Sequence, residues 1–342
     1  PAWVFATIPT MTTTLTTLPL LADPADYQPN TVDMTSDADA RRYWLDVFAN
    51  HLPSLVRHAV TSEGDSPDAR ARIERMAEVF AGQIERMRKE PEAFGPISIM
   101  NICRLREKGM RAEGIADPYD YVKRDENDKA LKLLPALLKE LDAIDESQRL
   151  ETLVRGVFAG NMFDLGAVST NDLFDSGEFD FRAVRAKVKE RPWLFDGIDA
   201  LRPRWEAGYR KAVVFVDNAG SDVVLGMLPL VRELLRRGTA VVVTANTSPA
   251  LNDITHDELV PLIERIAAFD DVFAQAVRDG RLQLTPSGND APLIYMNQIS
   301  PELAEACDGT DLVIIEGMGR AVETNLNARF TVDALKLAVI KE

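Results

Sequence analysis

Three residues with oxygen-bearing side chains follow two hydrophobic runs in the carboxyl-terminal half of the sequence. The run VVFV ends on Asp217 and Asn218, and the run VVVTA is followed by SPALND, which ends on Asp253. Carboxylate and amide oxygens are hard ligands, which Mg²⁺ and Mn²⁺ prefer when a protein holds the ion through a few groups. The pattern therefore predicts a divalent metal site at these three residues. Asx residues before a glycine are also common in ordinary turns, and that interpretation stays open.

A second group of residues has the chemistry to bind an anion. The segment GMGR, residues 317–320, offers backbone N–H groups with little steric hindrance and the guanidinium of Arg320, which suit a phosphate group. A tight turn with a solvated arginine is the alternative. A dinucleotide-binding pattern fits poorly, because Val322 stands where glycine or alanine is required. The sequence also contains neither a Walker A pattern nor a G-x-S-x-G elbow.

The elements that position these residues are predicted to form a parallel sheet. From about residue 206 onward, helical stretches alternate with five short runs rich in apolar residues: KAVVFVDN, TAVVVTAN, RLQLTPSG, DLVIIEGMG and LKLAVIK. Continuous rather than alternating apolar runs indicate strands buried on both faces. The carboxyl ends of parallel strands share one edge of the sheet, where ligands bind. We therefore predict an α/β fold, a three-layer α/β/α Rossmann-like domain preceded by a mostly helical domain.

Helical periodicity defines the part of the chain that precedes the sheet. In DARARIERMAEVFAGQIERMRKEP, apolar residues recur at steps of three or four and share one helix face: Ile73, Met76, Phe80, Ile84 and Met87. The same spacing recurs farther along the chain at Leu131, Leu134, Leu138 and Leu141. We predict a loose, extended arm over residues 1–36, a helical domain over residues 37–205 and an α/β metal-binding catalytic domain over residues 206–342.

Composition excludes several classes of function. The 342 residues carry a formal charge of −15, which argues against nucleic acid or an anionic membrane as a partner. The two cysteines, Cys103 and Cys307, are too few for a disulfide framework or a cysteine-based zinc site. The sequence has no apolar run long enough to span a membrane and no secretory or transit signal, so a cytoplasmic protein is expected. The number of chains in the assembly is left open.

The sequence resembles a known family, the metal-dependent damage-control phosphatases. The resemblance rests on VFVDNAGSDVVLGMLPLVRELLRRG, SPALNDIT, DLVIIEGMGRAVETNLNA and DALKLAVIK, and it extends upstream to CRLREKG, DPYDYVKRDEN and LVRGVFAGNMFDLGA. Within the family the chain is most similar to the branch found as the carboxyl-terminal domain of some pantothenate kinases and as free-standing plant proteins. Members of the family continue beyond the position of Lys341, so this sequence, which ends at Glu342, is expected to be truncated there.

The resemblance implies a phosphatase that acts on small phosphorylated metabolites, with 4′-phosphopantetheine or its oxidatively damaged forms as the substrate. It implies a divalent metal, Mg²⁺, Mn²⁺, Co²⁺ or Ni²⁺, held by Asp217, Asn218 and Asp253. Carried over by position, the residues that line the substrate pocket are Asn161, Asp164, Asn246, Glu316, Gly317, Gly319, Arg320, Asn325 and Lys341.

Other functions remain as alternatives to this prediction. The chain is also compatible with a catalytically silent domain that binds a metabolite, with a sugar-phosphate phosphatase of the same family, and with a methyltransferase, although no glycine-rich loop follows the first strand. A haloacid-dehalogenase phosphatase is disfavoured, because Ala219 occupies the place of that family's second aspartate. The attacking group, a water molecule or Asp217 itself, is left open.

Overall fold

A five-stranded sheet lies at the centre of the computed structural model, which describes residues 15–162 and 181–340. All strand pairs are parallel, and the strands lie side by side in the order β3-β2-β1-β4-β5. Their bounds are Lys211–Phe215 for β1, Ala240–Ala245 for β2, Leu282–Pro286 for β3, Leu312–Glu316 for β4 and Asp333–Leu337 for β5. The predicted α/β fold class is confirmed. The fifth strand ends at Leu337, earlier than the apolar run LKLAVIK indicated.

This strand order creates a topological switch point between β1 and β4. The chain moves outward from β1 through β2 to β3, and then returns to β4 on the opposite side of β1. Connections that leave two neighbouring strands in opposite directions open a crevice at their carboxyl ends, which is where open α/β sheets bind ligands. The residues that follow β1, β2 and β4 therefore converge on this crevice.

Helices surround the sheet and form the amino-terminal half of the chain. Seven described helices precede β1: α1 (Ala38–Glu63), α2 (Pro67–Lys89), α3 (Ile99–Ala112), α4 (Asp120–Ala143), α5 (Glu146–Met162), α6 (Phe181–Lys187) and α7 (Ile198–Ala207). Four more alternate with the strands: α8 (Leu228–Arg236), α9 (His256–Ala267), α10 (Asp271–Arg278) and α11 (Pro301–Ala306). Two π-helical turns, Asp222–Met227 and Met318–Glu323, follow β1 and β4. The residues predicted to share the buried face of α2 are all buried.

Both faces of the sheet are covered, which explains the continuous apolar runs of its strands. Val214 packs in a cluster with residues of α4, α5, α8, α9 and α10, whereas its neighbours Val213 and Phe215 pack in a second cluster on the other face. Side chains alternate between the faces of a strand, so each strand must be apolar at successive positions. Because α4 and α5 share a cluster with the sheet, the division near residue 205 into two domains stays a prediction.

The described part of the predicted amino-terminal arm packs against the second face of the sheet. Leu18, Leu20, Leu21 and Tyr27 are buried against that face, and the backbone of Thr16 pairs with Ile299. The described part of the predicted arm is therefore extended but packed, not loose. Within residues 15–162 and 181–340, the structure contains no helix with both the length and the apolar character that crossing a bilayer requires.

Candidate active site

The loops after β1 and β2 lie side by side at the switch point. The Ala219 N–H donates to the Asn252 carbonyl at 2.9 Å, and the Ile254 N–H donates to the Asp217 carbonyl at 3.0 Å. These bonds pair Asn218 with Asp253 across the two loops. Asp253 is therefore a neighbour in space of Asp217 and Asn218, although it follows them by more than thirty positions along the chain.

The loop that carries Asp253 is held by a helix start and by a buried lysine. Thr255 and Glu258 form a capping box at the start of α9, which fixes the chain just after Asp253. The Lys123 ammonium is fully buried and lies 2.7 Å from carboxylate oxygens of both Asp117 and Glu258, and it donates to the Asp253 carbonyl at 3.4 Å. Asp117, Glu258 and Asp120 form a carboxylate cluster that could hold a metal ion, but Lys123 already supplies positive charge there.

Arg320 lies between the two aspartates of the predicted metal site. Its guanidinium forms an ion pair with Asp217 through Nη1, and its Nη2 donates to Asp253 Oδ2 at 2.7 Å and to Asn246 Oδ1 at 3.0 Å. The side chain is 2% exposed, so the alternative of a solvated arginine is wrong. Burial lowers the pKa of the Arg320 guanidinium to about 9, which leaves it a cation at neutral pH.

Asp253 is also enclosed by protein atoms. It is 1% exposed, and its Oδ2 accepts a hydrogen bond from Asn246 Nδ2 at 2.9 Å. Burial raises the pKa of the Asp253 carboxyl well above its ordinary value, while the Lys123 ammonium and the Asn246 amide oppose that rise. A carboxylate removed from water in this way gains most from a positive charge placed beside it.

A second group of acidic side chains shares Asp217. Carboxylate oxygens of Asp217, Asp222 and Glu316 lie within 4.8 Å of one another, and all three residues are buried. Asn161, at the end of α5, joins two of them, since its Nδ2 donates to Asp222 Oδ2 at 2.8 Å and to Glu316 Oε1 at 2.9 Å. The Asn161 Oδ1 atom is buried and has no hydrogen-bond partner among the described residues. A buried acceptor in this state is suited to a donor or cation that the protein itself does not provide.

Asp222 is the residue of this site that the sequence analysis missed. It stands five residues after Asp217 in the segment DNAGSD, and the π-helical turn that begins at Asp222 directs its carboxylate back toward Asn218. A signal was present in the sequence, because a side chain four residues after Asn218 faces it if the chain turns into a helix directly. The glycine at 220 concealed that signal by suggesting a plain turn.

The glycines of GMGR serve a steric purpose in the structure. Gly317 has φ +102°, and a Cβ atom there would lie 2.6 Å from Cγ of Asp217. A Cβ atom on Gly319 would lie 2.7 Å from the Pro292 carbonyl oxygen. Glycine at 317 lets the backbone pass directly beside Asp217, and glycine at 319 lets it pass beside Pro292. The predicted use of the segment as a phosphate cradle stays a prediction.

Two asparagines predicted to line the pocket support its walls. Asn246 bonds to Asp253 and Arg320, as described above, and its Nδ2 also donates to the Ala291 carbonyl at 3.2 Å. Asn325 is fully buried, and its Nδ2 donates to the Arg320 carbonyl at 2.8 Å while its Oδ1 accepts from the Tyr27 hydroxyl at 2.8 Å. Asn325 therefore holds the turn that carries Arg320. The predicted residues Asp164 and Lys341 lie outside the described residues, and their roles stay predictions.

The donor set of the site fits a divalent cation. Asp217, Asn218 and Asp253 offer only hard oxygen ligands from two loops that backbone hydrogen bonds hold together. Two of these residues already bind a cation, the Arg320 guanidinium. The same small volume thus combines anionic oxygens with a buried arginine, an arrangement that suits a metal ion together with a phosphate group.

Comparison with known proteins identifies the family. Residues 47–342 match the description "Damage-control phosphatase ARMT1-like domain". The chain is 43% identical over 301 residues to a damage-control phosphatase of Arabidopsis thaliana, which covers 87% of this chain and 82% of that protein. It is 36% identical over 378 residues to the Mus musculus protein named 4′-phosphopantetheine phosphatase, which covers 96% of this chain and 46% of that protein.

Longer relatives and a solved structure agree with this result. The chain is 42% identical over 358 residues to pantothenate kinase 2 of Arabidopsis thaliana, and the match covers 96% of this chain. It spans 40% of the length of that protein and 39% of pantothenate kinase 2 of Oryza sativa. A DUF89 family protein from Pyrococcus horikoshii has the same fold, with a TM-score of 0.59 and 17% identity over 86% of this chain and 89% of that chain. The chain belongs to the ARMT1-like damage-control phosphatase family.

Proposed function

We propose that this chain is a phosphatase that depends on a divalent metal and hydrolyses small phosphorylated metabolites. The observation that carries the proposal is the pairing of Asp217, Asn218 and Asp253 at one point of the sheet, with the buried guanidinium of Arg320 between the two aspartates. A site of this kind provides ligands for Mg²⁺, Mn²⁺, Co²⁺ or Ni²⁺ and a charged donor for phosphate oxygens. The substrate proposed is 4′-phosphopantetheine or its oxidised forms, because a relative at 36% identity carries that name.

In this proposal each residue has a defined task. Asp217, Asn218 and Asp253 hold the cation, which when bound withdraws negative charge from the oxygens of the transferred phosphoryl group. Arg320 stabilises the same charge from the protein side, since a buried guanidinium in a water-poor site acts more strongly than one in solvent. Asn246 keeps Arg320 and Asp253 aligned through bonds to both. Hydrolysis breaks the P–O bond to the alcohol, which leaves with a proton from water, while the remaining water oxygen joins phosphorus.

The attacking group is either water directly or the Asp217 carboxylate, and an isotope experiment separates them. A phosphorothioate form of the substrate, made chiral at phosphorus with ¹⁸O, is hydrolysed in H₂¹⁷O. Direct in-line attack by water inverts the configuration at phosphorus in the released thiophosphate. Attack by Asp217 forms an aspartyl thiophosphate, and attack of water on its phosphorus inverts the configuration a second time, so the released product shows net retention.

Phosphate release tests the activity itself. Protein treated with a chelator is supplied with one metal at a time and offered 4′-phosphopantetheine, its sulfonate and a series of sugar phosphates. We expect turnover only with a metal, and a loss of at least about 100-fold in kcat for Asp217→Asn, as for removal of a key electrostatic group. Asp68→Asn, at an 87% exposed side chain, is the matched control and should behave as wild type. Hydrolysis without metal, or full activity of Asp217→Asn, would refute the proposal, and a preference for sugar phosphates would change its substrate.

A further inference from the structure

The side-chain amide of Asn218 can face a cation in two ways, and the choice decides whether it can act as a ligand. An amide carries one acceptor atom, Oδ1, and one donor atom, Nδ2, at nearly equivalent positions. Only Oδ1 can bind a metal ion, whereas the hydrogens on Nδ2 repel it. Something in the fold must therefore fix the rotation of this amide, because the two orientations have the same shape.

The carboxylate of Asp222 makes the contacts that fix it. Asp222 Oδ2 accepts a hydrogen bond from Asn218 Nδ2 at 2.9 Å and another from the Asn218 backbone N–H at 3.3 Å. The second hydrogen of Nδ2 is directed to Asp217 Oδ2 at 3.3 Å. Because Nδ2 is held between two carboxylates, Oδ1 is the amide atom that can face a cation. The reverse orientation would bring an amide oxygen against both carboxylates, which is repulsive.

Asp222 is itself held in place. It is 2% exposed, and the same Oδ2 atom accepts a hydrogen bond from Asn161 Nδ2 at 2.8 Å. Asn161 is fixed in turn by its bond to Glu316 Oε1 at 2.9 Å. Oδ2 receives three N–H donors, so its lone pairs are engaged by protein, and this oxygen is better suited to orient other groups than to bind a metal directly.

We propose that Asp222 is a positioning residue whose carboxylate orients the Asn218 amide so that Oδ1 faces the cation held with Asp217 and Asp253. This inference rests on the metal site of the proposed function and goes beyond it, since it assigns a role to a residue outside the predicted ligand set. Partners of this kind, which bond to a ligand rather than to the metal, typically contribute about 10- to 100-fold to metal affinity.

Binding of Mn²⁺ to the metal-free protein tests the inference without reference to turnover. Wild type, Asp222→Ala and Asp222→Asn are first checked for an intact fold by circular dichroism. Each is then titrated with Mn²⁺, and the concentration of free Mn²⁺ is measured by electron paramagnetic resonance. We expect Asp222→Ala to bind at least 10-fold more weakly, and Asp222→Asn to stay within about 3-fold of wild type, because an amide oxygen can still accept from Asn218. Equal losses in the two variants would assign Asp222 a role through its charge or as a ligand, and would overturn the inference. No loss in either would overturn it too.

A double-substitution cycle separates this role from a general structural one. In an Asn218→Asp background both side-chain oxygens are ligand atoms, so no partner is needed to select between oxygen and nitrogen. Asp222→Ala should then cause no further loss of Mn²⁺ affinity, and relief of repulsion between the two carboxylates should give a gain. The same 10-fold loss in both backgrounds would show that Asp222 does not act through the amide. If wild type binds no Mn²⁺ at all, the metal site of the proposed function fails first, and the positioning role falls with it.

Discussion

Replacement of Arg320 by methionine removes the cation that the structure places between two buried carboxylates. Asp217 and Asp253 would remain with side chains at 12% and 2% exposure and without their common partner. Removing one member of a buried ion pair costs about 3–5 kcal/mol, because the other member keeps its charge in a poor solvent. At about 2 °C of unfolding midpoint for each kcal/mol in a large domain, the expected decrease is about 6–10 °C in metal-free protein.

A divalent metal should recover much of this loss. At the proposed site a metal would compete with Arg320 for oxygens of the same two aspartates, so the variant should bind Mn²⁺ more tightly than wild type. Mn²⁺ at 100 times its dissociation constant stabilises a protein by about 2.7 kcal/mol, and each tenfold gain in affinity adds about 1.4 kcal/mol. The midpoint of Arg320→Met should therefore rise with Mn²⁺ by about 3 °C more than that of wild type. Its kcat should nevertheless fall by about 100- to 1000-fold, because the charged donor proposed for the phosphoryl group is gone.

Differential scanning fluorimetry with and without Mn²⁺ measures these shifts, and Arg232→Met is the matched control. Arg232 also bridges two aspartates, Asp142 and Asp270, with N–O distances of 2.7 Å to each, but it lies on α8 outside the site. Its replacement should lower the midpoint without any extra recovery by Mn²⁺. The reasoning is refuted if Arg320→Met is as stable as wild type without metal, or if Mn²⁺ stabilises it no more than it stabilises wild type.

Further substitutions test other parts of the structure. Gly317→Ala should weaken Mn²⁺ binding at least about tenfold in a calorimetric titration, because the added Cβ atom would displace Asp217. The control is Gly309→Ala, at φ +74° with no neighbour within 4 Å. It should cost about 1 kcal/mol of stability and leave Mn²⁺ binding unchanged. Asn127→Leu should lower stability by about 1–3 kcal/mol in thermal unfolding, because Asn127 Oδ1 accepts a hydrogen bond at 2.7 Å from the buried Gly220 N–H in the loop after β1. Mn²⁺ should stabilise this variant no more than it stabilises wild type. Burial lowers the pKa of His51 from its ordinary value of 6.5 to about 4, so the unfolded chain binds the proton more readily between these values. Above pH 6.5 this group does not lower the free energy of unfolding, whereas by pH 5 it should lower that free energy by about 1 kcal/mol, allowing for partial exposure. In urea unfolding, His51→Gln should abolish this component of the pH dependence.

Much of the fold could be predicted because its signals are local. The spacing of Ile73, Met76 and Phe80 specifies a helix with one buried face, since only residues three or four apart share a face. The unbroken apolar runs specify strands covered on both sides, and hence a parallel sheet. The prediction placed the last strand too far along the chain. β5 lies at an edge of the sheet, and its first residues, beginning at Asp333, are exposed or half-buried and so lack an apolar signal. An edge strand needs less apolar sequence than a central one.

The arrangement of the site could be predicted only to the level of the loops. That Asp217 and Asp253 lie near each other follows from their places after neighbouring parallel strands. That Arg320 is buried between them does not follow, because a glycine-flanked arginine is equally suited to solvent. The support given by Asn325 to the turn of Arg320 depends on contacts with Tyr27, almost 300 residues earlier in the chain.

The sequence by itself determined the parallel sheet, the helical first half and the collection of oxygen-bearing residues at the carboxyl ends of β1 and β2. These properties arise from hydrophobic periodicity and from the shared direction of the strands, which neighbouring residues encode. Only the tertiary structure decided how each side chain in the crevice is oriented. The rotation of the Asn218 amide, the partner of Asp222 and the burial of Arg320 depend on hydrogen bonds between segments distant in sequence, which form once packing has removed the crevice from water.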